Sequence, residues 1–169
     1  MKSMSVVRSA GAASAVIAAS FGLSASTAFA AAQVQHFNGS IAGMPFDLGP
    51  SPYGLPPSCP FNNGDANFVF LSGTGVFHGT SNSNGDWGGE TLQGTAVFYE
   101  DTTAIAQGHL TVWEGGGNNS VGQNEGGMTA NFTGTGSGVS VTIHVNGHMT
   151  VNAQGQPTAQ VINVNVACS

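Results

Sequence analysis

The sequence predicts an all-β protein built as an antiparallel meander of about eight strands. In segment after segment, apolar or β-branched residues alternate with polar ones, and no segment shows a sustained helical periodicity. Clusters of Gly, Asn and Ser, which are typical of turns, separate these segments. Full closure is the simplest way to remove exposed strand edges, so we expect a closed barrel, with a two-sheet β-sandwich as the second choice.

The predicted strands cover residues 34–41, 66–71, 75–80, 92–100, 104–114, 128–135, 139–151 and 158–166. Between them, residues 81–86, 115–119 and 153–157 supply side chains that tolerate a positive φ or fix a turn. Residues 49–60 break this rhythm because they contain five of the seven prolines. Since proline cannot join a central ladder, this segment is predicted to be a stiff, Pro-rich loop.

Residues 1–30 have the features of a secretory signal peptide. Lys2 and Arg8 give a positively charged start, an apolar stretch follows, and a small-x-small sequence ends at Ala30. The apolar stretch is too short to span a bilayer. We therefore expect a single secreted, extracellular β domain over residues 31–169.

The charge balance excludes several functions. After Arg8 the chain has no lysine or arginine, while it has eight Asp and Glu residues. Nucleic-acid binding is disfavoured because phosphates cannot be neutralised, and two tryptophans with two tyrosines are too few to anchor a barrel inserted in a membrane. Phosphoryl transfer with a Walker lysine and Schiff-base chemistry are also excluded, and we expect no cofactor. In an exported chain, the cysteine pair Cys59 and Cys168 predicts one disulfide.

Histidines are the candidates for catalysis. The sequence Gly-His-Leu-Thr-Val at 108–112 returns at 147–151 with Met for Leu, and strand alternation places His109 and His148 on the polar face, with His144 on the same face as His148. If that face lines a lumen, these side chains and a carboxylate suit a small lyase, isomerase or cyclase. If it faces solvent, they are ordinary surface residues. His144 and His148 lie about 13 Å apart in a straight strand, too far to share a metal ion.

The candidates for ligand binding are two indole rings and the amides of the segment 113–127, which is predicted to be the longest polar loop. An aromatic platform beside amides can bind a carbohydrate, and a loop at a barrel mouth can gate a small apolar ligand. The residues are Trp87, Trp113, Asn118, Asn119, Gln123 and Asn124. No metal site is expected. Asp65 and Asp86, in loops rich in Asn and Gly, are the only calcium candidates, and turn formation explains them more simply.

Four features resemble small secreted proteins of actinobacteria without an assigned activity: the alanine-rich leader, the lack of lysine after Lys2, the run from His109 to Trp113, and the pair Gly147-His148 before Cys168. The strand rhythm is also similar to allene-oxide-cyclase-like and calycin-like barrels. The resemblance implies a β-barrel and no site residue. We expect a secreted protein that is not an enzyme and binds a small apolar molecule or a glycan. The alternative is the small enzyme with histidines in its lumen.

Overall fold

The structure is a computed structural model that describes residues 33–50, 59 and 65–169. The predicted signal peptide and most of the predicted Pro-rich loop, 51–58 and 60, lie outside these residues. Within them the chain forms eight strands and no helix, which confirms the all-β class. The strands are β1 (Gln33–Ser40), β2 (Pro45–Pro50), β3 (Asp65–Asn82), β4 (Gly85–Glu100), β5 (Thr103–Asn119), β6 (Asn124–Gly136), β7 (Val139–Val151) and β8 (Pro157–Cys168).

All eight strands belong to one antiparallel sheet, and its order is that of a meander. The sequence of neighbours is β1-β3-β4-β5-β6-β7-β8, while β2 also pairs with β3. β1 pairs with residues 74–81 of β3 and β2 pairs with residues 65–69, so the two strands follow each other along the same edge. The turn between them is fixed by hydrogen bonds from the Gly43 N–H to the Phe70 carbonyl and from the Phe70 N–H to the Met44 carbonyl. The predicted meander is therefore confirmed.

Two strands differ from the prediction. The segments 66–71 and 75–80 are one strand, β3, of 18 residues. A register shift between Phe70 and Ser72 inverts the inside-outside alternation, and this makes one strand look like two in the sequence. β2 was not predicted. Its prolines, Pro45 and Pro50, are its first and last residues on an edge strand, where a missing N–H is tolerated.

The sheet is rolled but not closed. Among the described residues, no backbone pairing joins β8 to β1 or β2, so the closed barrel is not found. Three strand spacings separate β3 from β6, about 14 Å in a flat sheet. Nevertheless, the ring centroids of Phe68 on β3 and Phe132 on β6 lie 5.1 Å apart. The sheet must curl strongly around these rings, and its concave side is called here the inner face.

A disulfide links the beginning of the sheet to its end. Cys59, between β2 and β3, is bonded to Cys168, the last residue of β8, with a Cα–Cα distance of 5.2 Å, as predicted from the sequence. Cys59 is buried in the core, and Cys168 packs against it. The bond closes 109 residues of sequence, and in the chain-entropy model such a loop contributes about 4 to 5 kcal/mol to the free energy of unfolding.

The buried side chains occupy only one end of the rolled sheet, called here the packed end. They include the four rings of Phe46, Phe68, Phe98 and Phe132. No buried hydrophobic side chain comes from residues 71–91, 113–129 or 146–169. These segments, without residues 164–169, which lie beside the packed part of β7, form the other end of the sheet, which is rich in glycine and is called the glycine-rich end. The side chains opposite the core, on the convex side, form the outer face.

Candidate functional site

A cleft of about 430 Å³ opens at the tip of the glycine-rich end. It lies where the β5–β6 hairpin meets the β7–β8 hairpin. One indole, several amides, two hydroxyls and one carboxylate line it, together with two smaller residues. The lining residues are Trp87, Gly117, Asn118, Asn119, Gln123, Asn124, Glu125, Thr150, Val151, Asn152 and Thr158. Five of the six predicted ligand-binding residues are brought together here, and only Trp113 lies outside the lining.

The turn between β5 and β6 is held by the side chain of Asn119. Its amide oxygen accepts hydrogen bonds from the backbone N–H groups of Val121 (3.2 Å) and Gln123 (2.9 Å). Its amide nitrogen donates to the Gln123 side chain at 2.8 Å. Gly122 adopts a φ of 80°, which glycine reaches without strain. The predicted long loop 113–127 is therefore wrong, because most of it continues β5 and β6 and only residues 120–123 form the turn.

The turn between β7 and β8 repeats this construction. The Asn152 amide oxygen accepts from the backbone N–H groups of Gln154 (3.0 Å) and Gln156 (2.9 Å), and Gly155 has a φ of 76°. The two turns share the sequence Asn-x-x-Gly-Gln, at 119–123 and 152–156. A Cβ built on Gly122 would lie 3.8 Å from the Ala153 Cα, so the two turns lie side by side. The repeat was visible in the sequence, and it would have revealed the second wall of the cleft.

Trp87 forms the apolar side of the cleft. It lies on the outer face of β4, directly opposite Gly117 of β5. A Cβ on Gly117 would lie 2.8 Å from the indole Cε3 and 2.2 Å from the Asp86 carbonyl oxygen. The ring therefore lies down over a position that has no side chain, and 47% of Trp87 stays exposed. This arrangement presents a flat indole face to whatever enters the cleft.

The calcium candidates are placed differently from one another. The Asp86 carboxylate accepts a hydrogen bond from the Ser81 hydroxyl, and the Asp86 backbone N–H donates to the Asn118 amide oxygen at 3.3 Å. Asp86 thus connects β4 to both neighbouring strands by hydrogen bonds, which is a structural role typical of a residue next to a turn. Asp65 begins β3, and its side chain is not among those described. Within the described residues, no three His, Cys, Asp or Glu side chains group as a metal site would need.

The histidines lie on the outer face, and each side chain is exposed. His109 and His148 do share a face, but they are not aligned across the sheet. His148 on β7 lies opposite Gly127 on β6, which lies opposite Gly115 on β5, and Gly115 is six positions beyond His109. This separates them by about 20 Å along the strand direction. His109 contacts Thr111, and His144 contacts the Asn131 amide. The structure does not bring the three candidate catalytic histidines together, because their strands meet in a register that the repeated sequence does not reveal.

A pair of carboxyl groups occupies the inner face of the glycine-rich end. Glu90 and Glu114 lie directly opposite each other on β4 and β5. Burial raises the pKa of Glu114, and the charge of Glu90 and a hydrogen bond with it raise that pKa further. Burial also raises the pKa of Glu90, and the hydrogen bond from Glu114 opposes this effect. The two groups share a proton more readily than two exposed glutamates do. This pair was not predicted, because pairing depends on the register of two strands.

Trp113 and Glu114 point to opposite faces, as strand alternation predicts. The indole is on the outer face with 44% of its surface exposed, so it does not contact the carboxyl pair.

Among the described residues, no helix is long and apolar enough to cross a membrane. Comparison of the chain with protein-family models, curated proteins and solved structures found no match. The site must therefore be interpreted from its own chemistry.

Proposed function

We propose that this protein is a secreted, non-catalytic binding protein whose hairpin cleft takes a neutral carbohydrate. The observation that carries the proposal is the combination of one exposed, flat indole with amides and hydroxyls around a single cleft. A sugar ring presents C–H groups on its faces and hydroxyls around its rim. An aromatic face accommodates the first. Amide NH2 groups accommodate the second, since each has two donors and the turn uses only one of them at Asn119.

A carbohydrate suits this cleft better than a small apolar molecule. Pockets for apolar ligands are lined mainly by hydrophobic side chains. Here Trp87 and Val151 are the only large apolar residues of the lining, and the others are mainly amides and hydroxyls. The turns that carry these amides are themselves fixed by hydrogen bonds, so little conformational entropy is lost when a ligand binds.

The charge of the protein favours a neutral glycan. The chain has no lysine or arginine beyond Arg8, and Glu125 is part of the cleft lining. A uronate or sulfate group would meet a carboxylate and no fixed positive charge. We therefore expect binding that depends little on ionic strength, because no ion pair contributes to it.

The alternative, a small enzyme with histidines in an enclosed lumen, loses its main support. His109, His144 and His148 lie exposed on the outer face, whereas Glu90 and Glu114 are on the inner face. General acid–base chemistry needs both partners within hydrogen-bond reach of one substrate. The histidines cannot meet that condition with Glu90 or Glu114, because the two groups lie on opposite faces of one sheet.

The proposal includes export. A disulfide such as Cys59–Cys168 is consistent with an oxidising, extracellular environment. We expect the exported chain to begin within a few residues of Ala31, as its small-x-small sequence predicts. The intact mass of the secreted protein measures this, and a retained leader would contradict it.

The binding test is affinity electrophoresis of the disulfide-bonded protein in gels that contain a neutral polysaccharide. β-Glucan, xylan and mannan are the probes, and polygalacturonate is the acidic comparison. We expect retardation by at least one neutral polymer, and Trp87→Ala should weaken it about tenfold or more, which is about 1.4 kcal/mol. Thr95→Ala, on the outer face but at the packed end, is the control and should bind as the wild type does. No retardation by any neutral polymer, or equal retardation of Trp87→Ala, would overturn the proposal.

A further inference from the structure

The second tryptophan lies on the same face as the cleft and close to it. On β5 the outer-face positions after Trp113 are Gly115 and Gly117, and Gly117 lies opposite Trp87. On β6, Gly127 lies opposite Gly115. The surface between the two indoles is therefore a floor of backbone without side chains, and it leads directly into the cleft.

Both indole rings lie on this floor. A Cβ on Gly115 would lie 2.8 Å from Cζ2 of Trp113, and a Cβ on Gly127 would lie 3.6 Å from its Cζ3. One ring therefore covers positions on two neighbouring strands, which requires it to lie along the sheet and not to stand away from it. Trp87 covers Gly117 in the same manner. Gly115 and Gly117 are consecutive outer positions, about 7 Å apart, so the two platforms follow each other along β5.

The floor is also free of charge. Among the residues that the register assigns to the outer face of the glycine-rich end, Glu125 in the cleft carries the only formal charge. The strand partners of Trp113 carry hydroxyls, at Thr91 and Thr129, and the Asn146 amide follows one strand further. The strand partners of Trp87 are Thr80 and Gly117, and Glu125 follows one strand further, in the cleft. Exposed aromatic rings in an uncharged, hydrogen-bonding surface are suited to contact with a ligand that is itself uncharged and rich in hydroxyls.

We propose that Trp113, Gly115, Gly127 and Gly117 extend the cleft into a strip that binds an extended, neutral polysaccharide along its length. This inference rests on the proposed function. It adds that the ligand is a polymer, and that its sugars have flat apolar faces, as β-1,4-linked chains with equatorial hydroxyls do. Trp87 holds one end of the bound chain at the cleft, and Trp113 holds a sugar further along the strip. Side chains at the three glycines would fill the space of the rings or of the chain.

Chain length is the variable that tests the strip. The probes are glucose, N-acetylglucosamine and the β-1,4-linked hexamer of each, titrated by calorimetry against the full disulfide-bonded protein. A monosaccharide is too short to reach both platforms, whereas a hexamer reaches them easily. For at least one of the two sugars, we expect the wild type to bind the hexamer more tightly than the monosaccharide. Trp113→Ala should weaken hexamer binding about five- to tenfold, the contribution of one aromatic contact, and leave monosaccharide binding unchanged. Trp113→Phe keeps a platform and should recover most of the loss.

The outcomes separate the strip from the cleft. Trp87→Ala should weaken the binding of both monosaccharide and hexamer, because it removes the cleft platform. If the wild type binds but Trp113→Ala weakens monosaccharide and hexamer equally, or weakens neither, the strip is wrong and the cleft proposal is unaffected. If the wild type binds none of these sugars, the strip is also wrong, and the electrophoresis with whole polysaccharides decides on the cleft. The thermal unfolding of Trp113→Ala is the control for folding, since an exposed residue should change the stability little.

Discussion

The packed end and the glycine-rich end are made of the same strands but use their two faces in opposite ways. At the packed end the inner face is filled by Phe68, Phe98 and Phe132, and the outer face is a layer of ordinary polar side chains. At the glycine-rich end the large aromatic side chains Trp87 and Trp113 are on the outer face, and glycines provide the surface beneath them. The difference indicates that in β3 to β7 one end of each strand stabilises the fold while the other end presents a surface.

The largest effect is expected from a cavity at the packed end. Phe132→Ala removes a ring that is 1% exposed, and it should lower the free energy of unfolding by about 3 to 5 kcal/mol. Phe77→Ala is the matched change on the inner face of the glycine-rich end, where the ring is only half-buried. It should cost about 1 to 2 kcal/mol. Urea unfolding of both variants measures these changes. Equal losses in the free energy of unfolding would mean that the two ends contribute equally to stability, contrary to this account.

The disulfide comes next, because it ties the rolled sheet together. Replacing Cys59 and Cys168 by Ser should lower the free energy of unfolding by about 2 to 5 kcal/mol. The loss should affect the packed end directly, since both cysteines pack against its core. Urea unfolding of the double variant, beside the wild type with and without a reducing agent, provides the comparison. If the double variant were as stable as the oxidised wild type, the packing of the core alone would be sufficient to keep the sheet rolled.

Two glycines of the glycine-rich end sharpen the comparison further. A Cβ on Gly117 would lie 2.2 Å from the Asp86 carbonyl oxygen, so Gly117→Ala must move the backbone and should cost about 1 to 3 kcal/mol. A Cβ on Gly126 meets nothing nearer than the Gly115 carbonyl oxygen at 3.7 Å. Gly126→Ala should be neutral or stabilise the protein by up to about 1 kcal/mol, since it reduces the entropy of the unfolded chain. Thermal unfolding measures both variants. Equal changes in melting temperature for Gly117→Ala and Gly126→Ala would contradict this account.

The carboxyl pair gives a smaller effect that depends on pH. The pKa of Glu90 and that of Glu114 are raised in the folded state, so the folded protein binds more protons than the unfolded chain just above the usual glutamate pKa. Their contribution is therefore fully present at low pH and is lost as the pH rises through the folded-state values. Glu114→Gln should raise the free energy of unfolding at pH 7 by a few tenths to about 1 kcal/mol, since both groups are partly exposed.

The measurement for the pair is urea unfolding as a function of pH. The gain from Glu114→Gln should disappear once the pH falls below the usual glutamate range. Glu125→Gln, on the exposed outer face, changes the net charge by the same amount and is the control. A gain that is equal in the two variants, or that does not depend on pH, would mean that net charge and not the pairing is responsible.

The smallest effect is expected from the histidines. His109→Ala and His148→Ala remove exposed side chains, so each should change the free energy of unfolding by less than about 0.5 kcal/mol. His109 lies at the packed end, far from the cleft, and its removal should leave glycan binding unchanged. Loss of binding in His109→Ala would require a ligand that reaches across the whole outer face.

The sequence predicts the class of this fold well and the site only in part. Alternation of apolar and polar residues identifies β5, β6 and β7, because their inner faces are filled at the packed end. It fails where glycine replaces both classes of residue, and so the segment 113–127 looked like a loop. The bulge at Leu71 divides β3 in the pattern for a related reason, since it exchanges the two faces.

The site residues also divide into those that a local turn brings together and those whose position depends on the pairing of distant strands. Four of the predicted ligand-binding residues meet because residues around the turn of one hairpin stay close in space whatever the rest of the sheet does, while Trp87 joins them through the pairing of β4 with β5. The pairing of Glu90 with Glu114 and the separation of His109 from His148 depend on register across several strands. Residue spacing within one strand carries no information about that register.

Binding observed through the tryptophans tests the central claim most directly. The chain has two tryptophans, and both lie on the outer face of the glycine-rich end, so their indole N–H signals in a nitrogen–proton correlation spectrum report only on that surface. Titration with the hexamer of β-1,4-linked sugar that the wild type binds more tightly should shift both signals with one common saturation curve. Amide signals of Phe68, Phe98 and Phe132 should stay in place. Unchanged indole signals at saturation, or shifts centred on the packed end, would contradict the account.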